Sequence, residues 1–246
     1  MRYAPTILSI LLLAGCSGGP DGGTESAASD TTASRPESTQ APDDLAALES
    51  PYAETVLRND YVDVHRVSLP AGADLAAHRG GPRVVYSLGE YSLRFETDGV
   101  SESASFESGD VHQHAAGVHS VENVGESEAR FVVFERREAP VPTSQAEGDT
   151  PVRSPAEGAS EEVLFESDLF QVHEVTLQPG AQLPPHRGRA RAIYSLSDYQ
   201  LEFTSDAGTE ERTFEAGDTH VHDPGDHSVE NTGDTVASFL VVEFFR

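Results

Sequence analysis

Histidine is the residue whose number and spacing in this sequence most directly suggest chemistry. The chain has ten histidines among 246 residues. Neutral imidazole is a general acid or base near neutral pH and a common nitrogen ligand of transition metals. A single shift of 108 positions (173 − 65) places every histidine on another one. The five pairs are His65 and His173, His78 and His186, His112 and His220, His114 and His222, and His119 and His227.

The same shift aligns more than the histidines, so the sequence contains an internal duplication. Without a gap, it pairs Gly109 and Asp110 with Gly217 and Asp218. It also pairs the five residues 119–123 with residues 227–231, which are identical. A repeat of this kind predicts two copies of one structural unit.

Each copy has the pattern of short β-strands. Apolar and polar residues alternate from Tyr91 to Phe95 and again from Tyr199 to Phe203, which is the period of a half-buried strand. Glycine, proline and aspartate divide these runs, and no segment has a sustained apolar stripe of helical period. The pattern predicts an all-β fold, with an antiparallel sandwich or barrel in each copy.

Two motifs in each copy resemble the signature motifs of the cupins, which are small jelly-roll β-barrels; a chain with two of them is called a bicupin. The first motif is a glycine followed six positions later by a histidine, and the second is Gly-Asp followed by a histidine and an asparagine. The resemblance implies two tandem cupin β-barrels joined by a flexible linker. The matching segments are residues 72–78 with 109–123, and residues 180–186 with 217–231.

The resemblance implies only part of a metal site. Metal-dependent cupins use two histidines and a glutamate of the first motif and one histidine of the second. In the first copy His78 matches the first ligand and His119 the last, but Gly80 stands in the place of the second histidine. The glutamate region contains Arg83, which stays protonated and cannot ligate a metal. The equivalents in the second copy are His186, His227, Gly188 and Arg191.

A His-x-His pair in each copy is a second source of ligands. Residues two apart on a strand point the same way, so each pair shares one face. If that face is the barrel interior, each copy has an all-histidine site suited to a divalent transition metal such as Zn, Fe, Ni, Cu or Mn. If it is the outside, the pair is a surface or interface feature, and the flanking residues leave both alternatives open. The predicted metal ligands are His78, His112, His114, His119, His186, His220, His222 and His227.

Arg83 and Arg191 are predicted ligand-binding residues. A guanidinium at the mouth of a barrel can hold a substrate carboxylate in bidentate geometry, and the alternative is a salt bridge to one of the many acids of the chain. His65 and His173 share a strand face with valine and leucine. We expect those two to be core histidines that are hydrogen-bonded to a neighbour.

The N-terminal segment predicts a location in the cell envelope. Residues 1–15 have a positive charge at Arg2 and then an apolar run too short to span a bilayer, as in a signal peptide. The sequence from Leu13 to Cys16 resembles the lipobox of bacterial lipoproteins, in which the cysteine is acylated, and Cys16 is the only cysteine. We expect a lipid-anchored lipoprotein, on the periplasmic face of the outer membrane in a Gram-negative host. The alternative is an ordinary secretory signal.

The composition of the rest of the chain distinguishes flexible segments from folded domains. Segments rich in Gly, Ser, Thr, Pro and acid cannot bury enough apolar surface to become ordered. They predict a disordered tether over residues 16–50 and a linker over residues 139–160. The two cupin domains then cover residues 51–138 and 161–246, and we expect them to pack on each other as a pseudo-dimer.

The charge and the missing motifs narrow the function. With 42 acidic and 16 basic residues the net charge is −26, so a nucleic-acid partner is not expected. No hydrolase triad motif, phosphate-binding glycine loop or dinucleotide fingerprint is present in the sequence. Three functions stay open: binding of a small molecule or metal, a metal-dependent oxygenase or isomerase acting on a small organic acid or sugar, and a surface metal scavenger. The incomplete ligand set favours binding over catalysis.

Overall fold

The computed structural model describes residues 44–143 and 156–245, and their regular structure is almost entirely β-strand. A single 3₁₀ helix, Leu45–Ala47, precedes nine strands in the first copy and nine in the second. The first copy contains β1 Ala53–Arg58, β2 Val62–Leu69, β3 Asp74–Gly80, β4 Arg83–Ser87, β5 Tyr91–Thr97, β6 Val100–Phe106, β7 Val111–His114, β8 Gly117–Asn123 and β9 Ala129–Arg136. The second contains β10 Ala159–Glu166, β11 Phe170–Leu177, β12 Gln182–Gly188, β13 Arg191–Ser195, β14 Tyr199–Ser205, β15 Gly208–Phe214, β16 Thr219–His222, β17 Gly225–Asn231 and β18 Ala237–Phe244.

Each copy folds into two antiparallel sheets. In the first copy the strand orders are β1-β2-β9-β4-β7 and β3-β8-β5-β6. The second copy repeats them as β10-β11-β18-β13-β16 and β12-β17-β14-β15. Two such sheets with an apolar core between them form a jelly-roll barrel. The predicted all-β fold with one jelly-roll barrel per copy is therefore confirmed.

The five-stranded sheets are apolar on both faces. Along β18, Phe239 packs in the core of its own barrel, whereas Leu240 and Val242 point the other way into a second cluster. That second cluster contains side chains of both copies, and the rings of Tyr61 and Phe244 meet edge to face within it at 5.7 Å between centroids. The outer faces of the two five-stranded sheets thus share one apolar layer.

Two segments of flexible composition contribute buried side chains. Leu45 lies within the predicted tether but is only 5% exposed, in the core of the first barrel. Its helix is capped by Asp44, whose carboxylate accepts a hydrogen bond of 2.7 Å from Ala47 N. Val141, within the predicted linker, is buried in the apolar layer that the two barrels share. Both predicted segments therefore extend too far, because an average over composition hides single apolar residues.

A buried asparagine braces the turn that follows β8. The Asn123 amide donates to Leu69 O and Ser127 O, both at 2.8 Å, and its Oδ1 accepts from Gly125 N at 3.0 Å. Asn231 repeats the arrangement after β17. Because this side chain ties the turn to the neighbouring sheet, it holds the strand that carries the last histidine of each motif.

The N-terminal features lie outside the described residues. They are the signal peptide, the lipidation site Cys16 and most of the tether, and they stay predictions. Over residues 44–143 and 156–245, no helix has the length and apolar character needed to cross a membrane.

Candidate functional site

In the first barrel the His-x-His pair points inward. On β7, His112 and His114 pair across the sheet with Val85 and Arg83 of β4, and Val85 belongs to the barrel core. The ring of His112 stacks on the core residue Phe106 at 4.2 Å between centroids. Of the two orientations that the sequence leaves open, the structure therefore shows the interior one.

The second barrel repeats this orientation. His220 and His222 on β16 pair with Ile193 and Arg191 of β13. The ring of His222 stacks on Phe203 at 4.7 Å between centroids. The same register in the two copies gives both pairs the same inward direction.

The motif histidines complete the interior clusters from the four-stranded sheets. His78 and His119 are cross-strand neighbours on β3 and β8, with ring centroids 4.2 Å apart. His186 and His227 lie 4.1 Å apart in the second barrel. The Nδ1 atom of His78 is 2.8 Å from Ala76 O, and the equivalent contact in the second barrel has the same length. Each barrel thus brings together its four predicted ligand histidines.

Each histidine cluster contains one buried arginine. Arg83 and Arg191 are only 6% and 4% exposed. Burial lowers the pKa of each guanidinium to about 10, so both are cationic at neutral pH. Arg191 donates hydrogen bonds to Arg189 O at 2.9 Å and to His227 Nε2 at 3.0 Å. Within the described parts of the chain neither arginine has a carboxylate at ion-pair distance, and a buried charge without a counter-ion is unfavourable.

A glycine makes room for this arginine. A Cβ atom on Gly188 would lie 2.8 Å from Arg191 Cζ and 2.9 Å from His227 Cε1. At Gly80 a Cβ would lie 2.7 Å from Arg83 Nη1. Any larger residue, including the histidine of metal-dependent cupins, would occupy the volume of the guanidinium. The two departures from the metal-binding pattern, glycine for histidine and arginine for glutamate, are therefore one structural change.

The donor set does not fit a metal ion as it is arranged here. A guanidinium only donates, so the Arg191 hydrogen bond engages the His227 Nε2 lone pair that a metal would need. A divalent cation at that point would also meet the positive charge of the guanidinium. Over residues 44–143 and 156–245, no three His, Cys, Asp or Glu side chains are grouped as a metal site requires. The all-histidine metal site stays a prediction, and no step of the proposals below depends on it.

Seven interior histidines have a lowered pKa and are neutral at physiological pH: His78, His112, His114, His119, His220, His222 and His227. Burial is the largest cause, and the positive charge of the nearby arginine acts in the same direction. The pKa falls to about 3 for His112, His119 and His222, to about 4 for His220 and to about 2 for His227. Each cluster therefore has a buried cation, the arginine, beside imidazoles that are uncharged at neutral pH.

The two barrels differ in the space they enclose. The second barrel has a cavity of about 800 Å³ and the first one of about 30 Å³. Every residue that lines the smaller cavity, apart from Leu45, has its equivalent 108 positions on in the lining of the larger one. The role of Leu45 was not predicted from the sequence, because the signal is only two leucines, Leu45 and Leu48, in a polar segment.

His65 and His173 lie apart from the clusters. His65 Nδ1 is 3.1 Å from Thr55 Oγ1, and burial lowers its pKa to about 4. His173 Nδ1 is 3.0 Å from Glu161 Oε1, and this histidine lines the wall of the larger cavity. Both contacts are to the neighbouring edge strand.

The chain is similar in fold to several solved cupin-fold proteins. AerE from Microcystis aeruginosa is 16% identical, with a TM-score of 0.59 over 80% of this chain and 95% of AerE. Oxalate decarboxylase from Bacillus subtilis is 17% identical, with a TM-score of 0.56 over 76% and 68% of the two chains. The Lactobacillus farciminis oxalate decarboxylase, solved as a formate complex, is 15% identical, with a TM-score of 0.57 over 76% and 77%.

Identities this low show the fold alone. The predicted fold, two tandem cupin barrels, is confirmed. The sequence matches no protein-family model, and no curated protein sequence is significantly similar to it.

Proposed function

We propose that this protein is a lipid-anchored, extracytoplasmic bicupin that binds a small organic acid in its second barrel, with Arg191 holding the carboxylate. The observation that carries the proposal is a buried guanidinium, 4% exposed, in the wall of a cavity of about 800 Å³ with no described carboxylate at ion-pair distance. Glu243, the cross-strand partner of Arg191, acts on its charge without forming an ion pair, so a carboxylate in the cavity would supply the direct partner.

The surroundings of Arg191 suit an anion better than a cation. His222 and His227 are neutral at pH 7 and can donate or accept a hydrogen bond without adding a charge. Two of the solved cupin-fold neighbours are oxalate decarboxylases, one of them in complex with formate, and both compounds are carboxylates. The incomplete metal-ligand set favours binding without turnover over the metal-dependent enzyme.

Replacing Arg191 by Gln tests this proposal. The variant keeps most of the side-chain volume but removes the charge, so carboxylate binding should weaken roughly 10- to 100-fold, the value of a charge-assisted hydrogen bond. The measurement is calorimetric titration of the soluble part with carboxylates from formate to octanoate. The matched control is Arg94→Gln, an exposed arginine that pairs with Glu122 on the outside of the first barrel.

Unchanged affinity in Arg191→Gln would contradict the proposal. Wild-type protein that purifies with one transition metal per barrel would instead support the metal-dependent alternative.

Lipid attachment at Cys16 is the part of the proposal that concerns location. Because a thioether-linked lipid supplies the membrane affinity, Cys16→Ala should move the protein from the membrane fraction to the soluble fraction. Cell fractionation with immunodetection measures the change, and Ser17→Ala serves as the matched control. Equal membrane association of wild type and Cys16→Ala would show that the lipobox resemblance is misleading.

A further inference from the structure

We infer that the ligand of the second barrel is an amphipathic monocarboxylate, with an apolar alkyl or aryl body behind the carboxylate, rather than a compact acid such as formate or oxalate. The inference rests on the proposed function, because it places the carboxylate at Arg191. It adds the chemical class of the rest of the ligand.

A large part of the lining of the larger cavity is apolar. Its lining includes seven buried apolar or aromatic side chains, none more than 9% exposed. These residues come from both sheets, so the apolar surface surrounds the cavity rather than forming one stripe. A ligand consisting of a carboxylate alone would leave this surface against water. The seven residues are Val175, Leu183, Ile193, Tyr199, Leu201, Val229 and Phe239.

The first barrel shows what this type of interior accommodates. Its cavity is lined by the equivalents of residues in the second barrel, together with the side chain of Leu45. Leu45 lines this cavity together with Leu75, Leu93 and Val121, which correspond to Leu183, Leu201 and Val229. The first barrel thus receives an aliphatic group from its own chain, beside an arginine and four histidines. A ligand with an aliphatic or aromatic body would fill the equivalent position in the second barrel.

The charges of the cavity favour one carboxylate rather than two. Arg191 is the buried cation, and its cross-strand partner Glu243 lines the same wall. Glu161, Glu166 and Glu210 also line the cavity, and their negative charges would repel a second carboxylate. The other three arginines of the lining, Arg187, Arg189 and Arg212, are considerably more exposed than Arg191.

The volume agrees with a ligand of this kind. Ligand cavities of roughly 300 to 1,000 Å³ enclose molecules of drug size, far larger than formate or oxalate. At about 800 Å³, the cavity of the second barrel has room for a carboxylate with a body of many carbon atoms.

A series of unbranched carboxylates tests the inference on the intact soluble protein. Calorimetric titration with acetate, butanoate, hexanoate and octanoate should give one site per chain. The affinity should rise about fourfold with each added methylene, the value expected for burying one such group. Octanamide has the same body without the charge and should bind at least tenfold more weakly than octanoate.

A variant that fills the cavity separates the body of the ligand from its carboxylate. Val241 of β18 lines the larger cavity, so Val241→Phe adds bulk where there is space for it. Octanoate should then bind at least tenfold more weakly, while acetate binding, followed by saturation-transfer NMR, should not change. Val236→Phe, at an exposed valine, is the matched control and should leave both affinities unchanged.

The outcomes distinguish this inference from the proposed function. Arg191-dependent binding of acetate with no gain from longer chains would overturn the inference and leave the proposed function standing. Octanoate binding that is the same in Val241→Phe and wild type would also overturn it. If no carboxylate of the series binds, the proposed function fails and the inference fails with it.

Discussion

The free energy of unfolding of this protein should fall steeply as the pH is lowered from 7 towards 4. Burial holds the pKa of His65 and His220 at about 4, of His112 and His222 at about 3, and of His227 at about 2. In the unfolded chain these imidazoles titrate near 6.5. Below pH 6.5 the unfolded state therefore binds protons that the folded state does not, and acid favours unfolding.

The size of the effect follows from the number of such groups. Each histidine that stays neutral in the folded state lowers the stability by about 1.4 kcal/mol for every pH unit below its unfolded pKa. Glu135 acts in the opposite direction, since burial raises its pKa, but it is a single group. Because a folded domain is stable by only about 5 to 15 kcal/mol, three histidines suffice to unfold it near pH 4.

Chemical denaturation at pH 8, 7, 6 and 5 measures this dependence. The expected result is no slope between pH 8 and 7 and a growing loss below 6.5. His220→Leu provides the matched control, because it removes one of the buried imidazoles and should reduce the slope by about one proton, or 1.4 kcal/mol per pH unit. Stability that is independent of pH down to 5 would mean that these imidazoles are charged in the folded protein.

The clusters that cause this behaviour could be predicted in composition but not in arrangement. The shift of 108 positions pairs every histidine of one copy with a histidine of the other. The motifs place His78 and His119 in one site. The direction of His112 depends on its register with Val85, and Val111 and Gln113 on either side carry no decisive pattern. The tertiary packing of β7 against β4 decides it.

The link between arginine and glycine is visible in the sequence only as two separate departures. Gly188 and Arg191 each replace a ligand of the metal-dependent cupins, and the sequence indicates only that two metal ligands are missing. The structure shows that the space left by the first is taken by the second. A sequence motif cannot predict this exchange of volume, because it specifies residue types and not the space that each side chain fills.

The difference between the barrels has no reliable sequence signal. Leu45 stands among Ala, Asp and Glu, a composition typical of a solvated segment. What makes it part of a barrel is the apolar core that it joins, which includes Leu75, Leu93 and Val121 much further along the chain. The composition of the segment predicts a tether as a whole. It does not show that one of its side chains is buried in the barrel.

The shared apolar layer does have a sequence signal, in runs that do not alternate. Residues 131–134 and 239–242 are continuously apolar, which is typical of strands buried on both faces. In the structure one face of each strand packs in its own barrel and the other in the layer between barrels. Strand β1 contacts β16 across it, and the equivalent strands β10 and β7 also contact each other. These two contacts exchange under the shift of 108 positions, as in an isologous pair.

The isolated second copy, residues 156–246, should therefore fold and associate into a homodimer through its five-stranded sheet. On its own it would expose four large side chains of the layer, each no more than 2% exposed in the whole protein. Exposing them costs on the order of 6 to 12 kcal/mol, at about 1.5 to 3 kcal/mol each, as much as the whole stability of a small domain. The four residues are Phe170, Leu240, Val242 and Phe244.

Sedimentation velocity over a range of concentrations measures this association. The fragment should sediment as a dimer, and Val242→Asp should convert it to a monomer, because a charge on this face has no partner in the dimer and is solvated in the monomer. Val236→Asp, at a valine that is already exposed, should leave the dimer intact. A wild-type fragment that is monomeric and cooperatively folded would show that the shared layer is not needed for either barrel. An unfolded fragment would show instead that the two copies form one inseparable core, since neither sheet could then keep its strands together without the opposing face.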